Sequence, residues 1–252
     1  MSQSRIIGVT GKGGSGKTAF VSIVVKLLSD KTRILAIDGD SAGGLSYALG
    51  VKPNKTIGDL RGELIDNPEV RKGIEDTHIR EVITGTLGEG KGFSFLSMGR
   101  AEGPGCYCGV NDLLRYGIES LSKRFDLTLI DCEAGPEQIS RRIVQKADTL
   151  VVIIDNSIRS IQVAEVIRNV AYDVQGKEFD KIGLVVNKYI KGNEVVVEAA
   201  KQLGLQIFGY IPEDPNIKEY DSRGKSLLEL VDHSPCVIAV KDIIRNIGST
   251  SY

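Results

Sequence analysis

The chain has 252 residues, 41% of them hydrophobic and 26% charged, with a formal net charge of −1. That is ample for a large core, and a charge near zero gives no general attraction to nucleic acid or to an acidic membrane surface. Tryptophan is absent and aromatic residues make up only 6%, so nothing suggests a platform for stacking bases.

The first element expected is a strand, Arg5–Thr10. It follows an N-terminus, MSQSRIIGVTGKGG, whose apolar run is too short for a signal peptide. No stretch of the chain nears the roughly 18 apolar residues of a membrane span. The expectation is a cytoplasmic protein that binds neither nucleic acid nor membrane. In a reducing compartment its four cysteines are metal ligands, reactive thiols or core residues rather than disulfides.

The strand runs into GVTGKGGSGKT, residues 8–18, and a helix is expected over Lys17–Ser29. Gly11 to Thr18 meet every fixed position of the Walker A pattern, in the strand–loop–helix context that the pattern needs. Glycines let the backbone curl so that the N–H groups of Gly11, Lys12, Gly13, Gly14, Ser15 and Gly16 converge on phosphate oxygens. The positive end of the following helix adds to the attraction. Lys17 is placed to reach the β- and γ-phosphates, and the Thr18 hydroxyl to bind Mg²⁺. Lys12 adds a second lysine to the loop. GKGGSGKT resembles the deviant Walker A loop of the MinD, ParA, arsenite-pump and nitrogenase iron protein class. The resemblance implies that Lys12 crosses a dimer interface to the partner's nucleotide, and hence an ATP-dependent homodimer.

A strand over Ile34–Asp38 leads into IDGDSAGGL, residues 37–45. Asp38 and Asp40 follow a buried strand at its carboxyl end, where open α/β sheets bind ligands. They match the switch I of the class. The resemblance gives Asp38 the support of Mg²⁺ through water, and Asp40 the orientation of the attacking water. Capping a following helix is the other use of such residues. Ser41 stands where the class often has proline. Residues 51–92 are more polar and less regular, and read as an insertion of short helices beginning near VKPNKTIGDL.

Next come a strand over Phe93–Ser97, a helix over Val110–Arg124 and a strand over Leu127–Asp131. The last ends in LIDCEAGPE, residues 129–137, which matches switch II. The resemblance places Asp131 beside the water shell of Mg²⁺ and has Gly135 donate its N–H to the γ-phosphate. Loss of such a contact releases switch segments. Helices over Glu137–Ala147, Ile158–Val174 and Glu194–Leu203 then alternate with strands over Thr149–Ile154, Ile182–Asn187 and Gln206–Tyr210. A helix over Cys236–Ile247 closes the chain. The strands are nearly continuous Ile, Leu and Val, as suits strands covered on both faces. The alternation predicts an α/β fold, a single doubly wound domain over residues 1–252, its mostly parallel sheet flanked by helices as in P-loop NTPases. Asn187 in VVNK, and Pro212 and Asp214 in IPEDP, match the base-contacting positions of the class. The guanine-specific N-K-x-D is not met, since residues 187–190 read NKYI, so ATP is favoured over GTP.

Cys132, inside switch II, and Cys236, after Pro235, read as small packed hydrophobes, although a thiol at 132 is also placed to sense nucleotide state. Cys106 and Cys108 differ. They stand one residue apart in GPGCYCG, residues 103–109, with little apolar context. Two thiolates can hold one soft metal ion, but two ligands rarely make a tight site. A symmetric dimer would supply four sulfurs around a two-fold axis. With GKGGSGKT and DCEAG, the segment GCYCGVNDLLR resembles the nickel-insertion ATPases of carbon monoxide dehydrogenase maturation, the CooC family, and the related acetyl-CoA synthase maturation ATPase AcsF. The likeness runs along essentially the whole chain. It implies that Cys106 and Cys108 bind Ni²⁺, or Zn²⁺ in its place. It also implies that ATP drives dimerisation and that hydrolysis is coupled to delivering nickel to a client, carbon monoxide dehydrogenase or acetyl-CoA synthase. Two other readings stay open. One is an ATP-dependent iron–sulfur reductase resembling the nitrogenase iron protein, with ligands from separate segments such as Cys106 and Cys132. The other is a positioning ATPase resembling MinD or ParA, for which the closing VKDIIRNIGSTSY is short and weakly charged for membrane anchoring.

Overall fold

The computed structural model describes residues 4–66, 76–100, 108–140, 143–144, 147–173, 179–192 and 194–248. Its strands are β1 (Arg5–Gly11), β2 (Ile34–Asp38), β3 (Gly88–Gly90), β4 (Phe93–Ser97), β5 (Leu127–Asp131), β6 (Thr149–Ile154), β7 (Lys181–Tyr189) and β8 (Gln206–Pro212). Its helices are α1 (Lys17–Leu28), α2 (Gly44–Leu49), α3 (Ile57–Asp66), α4 (Asp76–Gly85), α5 (Cys108–Leu121), α6 (Glu137–Ser140), α7 (Ile158–Asp173), α8 (Glu194–Gln202), α9 (Pro215–Ser222) and α10 (Pro235–Ile247).

The strands form one sheet in the order β3-β4-β2-β5-β1-β6-β7-β8. Every pairing is parallel except that of β3 with β4. The expected α/β architecture is thus the one observed. The sequence reading of β2, β4, β5 and β6 matches residue for residue, and every residue of these strands is buried, so that their side chains form near-continuous apolar runs. Side chains alternate between the two faces. Leu35, Ile37, Leu96 and Ile130 pack under α5, while Ala36, Phe95 and Leu129 pack with Phe20 and Val24 of α1.

β1 lies between β5 and β6. The chain leaves β1 toward β2 on one side and builds β6 to β8 on the other. The order therefore reverses at β1, and a crevice opens at its carboxyl end. That is where GKGGSGKT begins.

Some expectations need correction. Of the helix expected over Glu137–Ala147, α6 covers Glu137–Ser140, and Ile143 and Val144 lie in a turn where the Ile143 N–H reaches the Gln138 carbonyl (2.9 Å). Ile139, Ile143, Val144 and Ala147 are all buried. α2, α9 and β3 were not anticipated. α9 is started by Asp214, which accepts the Asn216 N–H, and by Pro215 in its first position. α3 begins with a reciprocal cap, Thr56 N–H to Asp59 Oδ2 (2.9 Å) and Asp59 N–H to Thr56 Oγ1 (3.1 Å). Among the described residues, no helix is long and apolar enough to cross a membrane.

Candidate active site

The loop from β1 to α1 is shaped by two close approaches. A Cβ on Gly11 (φ 146°) would lie 2.2 Å from the Ile153 carbonyl oxygen, and one on Gly16 (φ 100°) would lie 2.1 Å from Asn187 Nδ2. Neither position tolerates a side chain. No side chain caps α1, and its first turn carries no acidic residue. Its positive end is left for an anion. Lys17 is buried, with Nζ folded back to the Lys12 carbonyl (3.4 Å). The Ser15 hydroxyl is buried without a partner among the described residues.

Three carboxylates come to the same place from the ends of β2 and β5. Thr18 Oγ1 donates to Asp131 Oδ2 (2.7 Å), while Asp131 Oδ1 is buried with no partner among the described residues. Asp38 accepts the Asp40 N–H on Oδ1 (3.1 Å) and the Leu45 N–H on Oδ2 (2.9 Å). Both oxygens of Asp38 are therefore engaged by backbone, and it braces the start of α2 as well as facing the site. Asp40 takes the Ala42 N–H on Oδ1 (2.9 Å). Gly135 donates its N–H to Gly11 O (3.1 Å), and its carbonyl accepts from Thr10 Oγ1 (2.9 Å). In this conformation the expected γ-phosphate donor is docked on β1.

Burial pushes the Asp38 carboxyl up to about 6 and the Asp131 carboxyl up to about 7, the latter despite the Thr18 hydroxyl. Both hold protons in the folded protein where the unfolded chain, with carboxylates near 4, has already ionised. Their stabilising contribution is full below about pH 4 and is lost as pH rises through 6 to 7. The nucleotide-free protein should lose thermal stability between pH 5 and 7.5, at about 1.4 kcal/mol per unit of displacement. Calorimetric unfolding across that range checks it, and Asp131→Asn should flatten most of the slope. An unchanged slope in the variant would locate the protons elsewhere.

The remaining candidates sit as follows. Lys12 Nζ pairs with Asp155 Oδ2 (2.7 Å) and donates to Ser157 Oγ (3.2 Å). Burial works against the charge on Asp155, yet the Lys12 and Ser157 hydrogen bonds hold its carboxyl down at about 2. Asn187 donates from Nδ2 to the Ser15 carbonyl (2.6 Å) and accepts the Lys188 N–H on Oδ1 (2.8 Å). Lys188, at φ 54°, reaches the Gly14 carbonyl with Nζ (3.2 Å). Asn187 is thus hydrogen-bonded to the phosphate loop and also lines the cleft that contains Pro212 and Asp214. Asp214 is likewise turned inward, accepting from Ser234 Oγ, Asn216 Nδ2 (2.9 Å) and the Cys236 N–H (3.2 Å). A cleft of about 650 Å³ joins Lys17, Thr18, Asn187, Pro212 and Asp214, room for a nucleotide. Cys132 and Cys236 are buried, as expected of packed thiols, and burial pushes Cys236 up to about 12. Cys106 lies outside the described residues, and Cys108 opens α5.

The family of the CobQ/CobB/MinD/ParA nucleotide binding domain matches residues 6–228. The chain belongs to this family. It is 40% identical over 253 residues to an uncharacterized ATP-binding protein of Methanocaldococcus jannaschii, covering 98% of this chain and 100% of that protein. It is 31% identical over 240 residues to the carbon monoxide dehydrogenase accessory protein CooC of Rhodospirillum rubrum, covering 89% of each. Among solved structures, the septum site-determining protein MinD of Pyrococcus horikoshii, complexed with Mg-ADP, shares the fold with a TM-score of 0.71. It is 21% identical and covers 98% of this chain and 96% of that one. As a member of the family the protein is an ATPase.

Asp155, Ser157 and Lys188 escaped the sequence reading. Asp155 carries the signal that exposed Asp38 and Asp131, a carboxylate at the carboxyl end of a buried parallel strand.

Proposed function

We propose that this ATPase is a dimerising cytoplasmic metallochaperone. Two Cys106–Cys108 pairs grip one metal ion across the dimer, and ATP hydrolysis is coupled to inserting nickel into carbon monoxide dehydrogenase or acetyl-CoA synthase. The observation that carries this reading is the 31% identity to CooC over 89% of both chains. The spacing of the two thiols supports it.

In this reading the loop Gly11–Thr18 holds the phosphates of ATP, with Lys17 at the β- and γ-oxygens and Lys12 supplied to the partner's nucleotide. Asn187, Pro212 and Asp214 border the base. Thr18 Oγ1 and the unpaired Asp131 Oδ1 fit a hydrated Mg²⁺, which when bound offsets the charge of the phosphate oxygens. Gly135 leaves Gly11 to donate to the γ-phosphate. Asp38 is tied to the metal segment by backbone: its carbonyl accepts the Met98 N–H (2.8 Å) just past β4, and the chain continues from there to Cys106. α5 returns through a 3-10 turn to β5, which ends in Asp131. A change at the phosphates thus has two routes to the thiols, one through a backbone hydrogen bond and one along the chain.

Cys106→Ser/Cys108→Ser should lose stoichiometric binding of Ni²⁺ or Zn²⁺, read by equilibrium dialysis with elemental analysis, and keep ATP binding. Undiminished metal binding would sink the assignment. Nickel- and ATP-dependent activation of apo carbon monoxide dehydrogenase tests the client. A brown anaerobic preparation absorbing near 400 nm would favour the iron–sulfur reductase, and ATP-dependent pelleting with vesicles a MinD-like role.

A further inference from the structure

Gln138 is a polar side chain with almost no exposure, 2%. It sits in α6, past the switch II loop. Its Nε2 donates to the carbonyl of Gly39. Its Oε1 is buried with no partner among the described residues. A side chain that only filled this space would carry no such unmade bond, which is costly to bury.

Gly39 stands between Asp38 and Asp40, and switch II holds it from both ends. Its N–H donates to the Asp131 carbonyl (2.9 Å), and its carbonyl takes the Gln138 amide. A Cβ on Gly39 would lie 2.8 Å from both polar atoms of that amide and 3.1 Å from Asp131 O, so the contact depends on glycine. The peptide plane joining Gly39 to Asp40 is pinned at its two polar atoms: the oxygen by Gln138, and the Asp40 N–H by Asp38 Oδ1 (3.1 Å). Without the amide, only one restraint opposes rotation of that plane, and the rotation swings Asp40.

We propose that Gln138 is a positioning residue for ATP hydrolysis, fixing the Gly39–Asp40 peptide so that the Asp40 carboxylate is set by the position of switch II. Movement of Gly135 away from Gly11 carries α6 with it, and Gln138 passes that movement to Asp40. Hydrolysis is thereby coupled to closure of switch II, and ATP binding at the phosphate loop does not depend on the amide. The inference rests on the ATPase activity alone and is independent of the metal cargo.

The test uses the full chain and two variants. Gln138→Leu keeps the bulk and removes the donor. Misplacement of a catalytic group by about 1 Å costs up to about 10²-fold, so kcat should fall roughly tenfold or more, with KM for ATP within about twofold of the parent and the unfolding midpoint little moved. Gln138→Glu donates to Gly39 only when protonated, so the ratio of its kcat to the parent's should rise as pH is lowered from about 8 to 6, against a flat ratio if the side chain only fills space. A parental kcat in Gln138→Leu overturns the proposal, as does a loss shared equally between kcat and ATP affinity. Should Gln138→Leu not fold, the pH dependence of Gln138→Glu decides alone, and a flat ratio overturns it.

Discussion

Asp40→Asn is expected to slow ATP hydrolysis by about 10²–10³-fold, the range of a lost base or water-orienting group, while ATP binding stays within a few-fold of the parent. The three carboxylates at the site are not equivalent. Asp38 has both oxygens on backbone N–H groups, and Asp131 is held by the Thr18 hydroxyl. Asp40 accepts only the Ala42 N–H, on Oδ1, and its Oδ2 has no hydrogen bond to a described residue. Asp131 Oδ1 also lacks a partner among the described residues but is buried, whereas half-buried Asp40 has an oxygen to offer a water arriving from solvent. The amide of asparagine keeps the size and the Ala42 contact but loses the negative charge. Phosphate release measured at saturating ATP, with nucleotide affinity followed by a fluorescent analogue, separates the two effects. An Asp40→Asn enzyme of parental rate would move the water-orienting role elsewhere. Asp38→Asn should behave differently, weakening the start of α2 and lowering thermal stability along with activity.

Lys12→Ala should reduce turnover by about 10³-fold or more, the scale of a cation supplied to transferring phosphate from across an interface, and should abolish ATP-induced dimerisation. In the described state Lys12 is held in its own chain by Asp155 and Ser157, so reaching a partner requires breaking that pair first. Both side chains are partly shielded, at 26% and 14% exposure, and a pair of this kind is worth about 1 kcal/mol. Asp155→Asn should therefore lower the ATP concentration for half-dimerisation by about fivefold. Light scattering across an ATP titration reads both variants. Dimerisation undisturbed by Lys12→Ala would rule out the crossing role. A shift in the opposite direction in Asp155→Asn would mean that Asp155 supports the dimer.

What the sequence revealed and what it hid divide by range. Strands such as Thr149–Ile154 were legible because burial on both faces writes itself into consecutive residues. GKGGSGKT was legible because phosphate binding needs its residues adjacent in the chain. That Asp38 serves the start of a following helix as well as the site was open in the sequence, but its partner, the Leu45 N–H seven residues ahead, was not legible. The hold of Asn187 on the phosphate loop was not legible either, since it depends on the close approach of Gly16 across the fold. β3, three residues reading GEG, has no apolar pattern at all and exists through its pairing with β4.

The place of β1 in the sheet has a consequence for synthesis. It leaves the ribosome well before its two neighbours, which are built from residues 127–131 and 149–154. Until those emerge, β1 has no edge to join, and Ile153 is not there to close against Gly11. Nucleotide therefore has nothing to stabilise until residue 154 has emerged, and pairings this distant in sequence form slowly. The cell's own ATP can act as a folding ligand only once β6 is made.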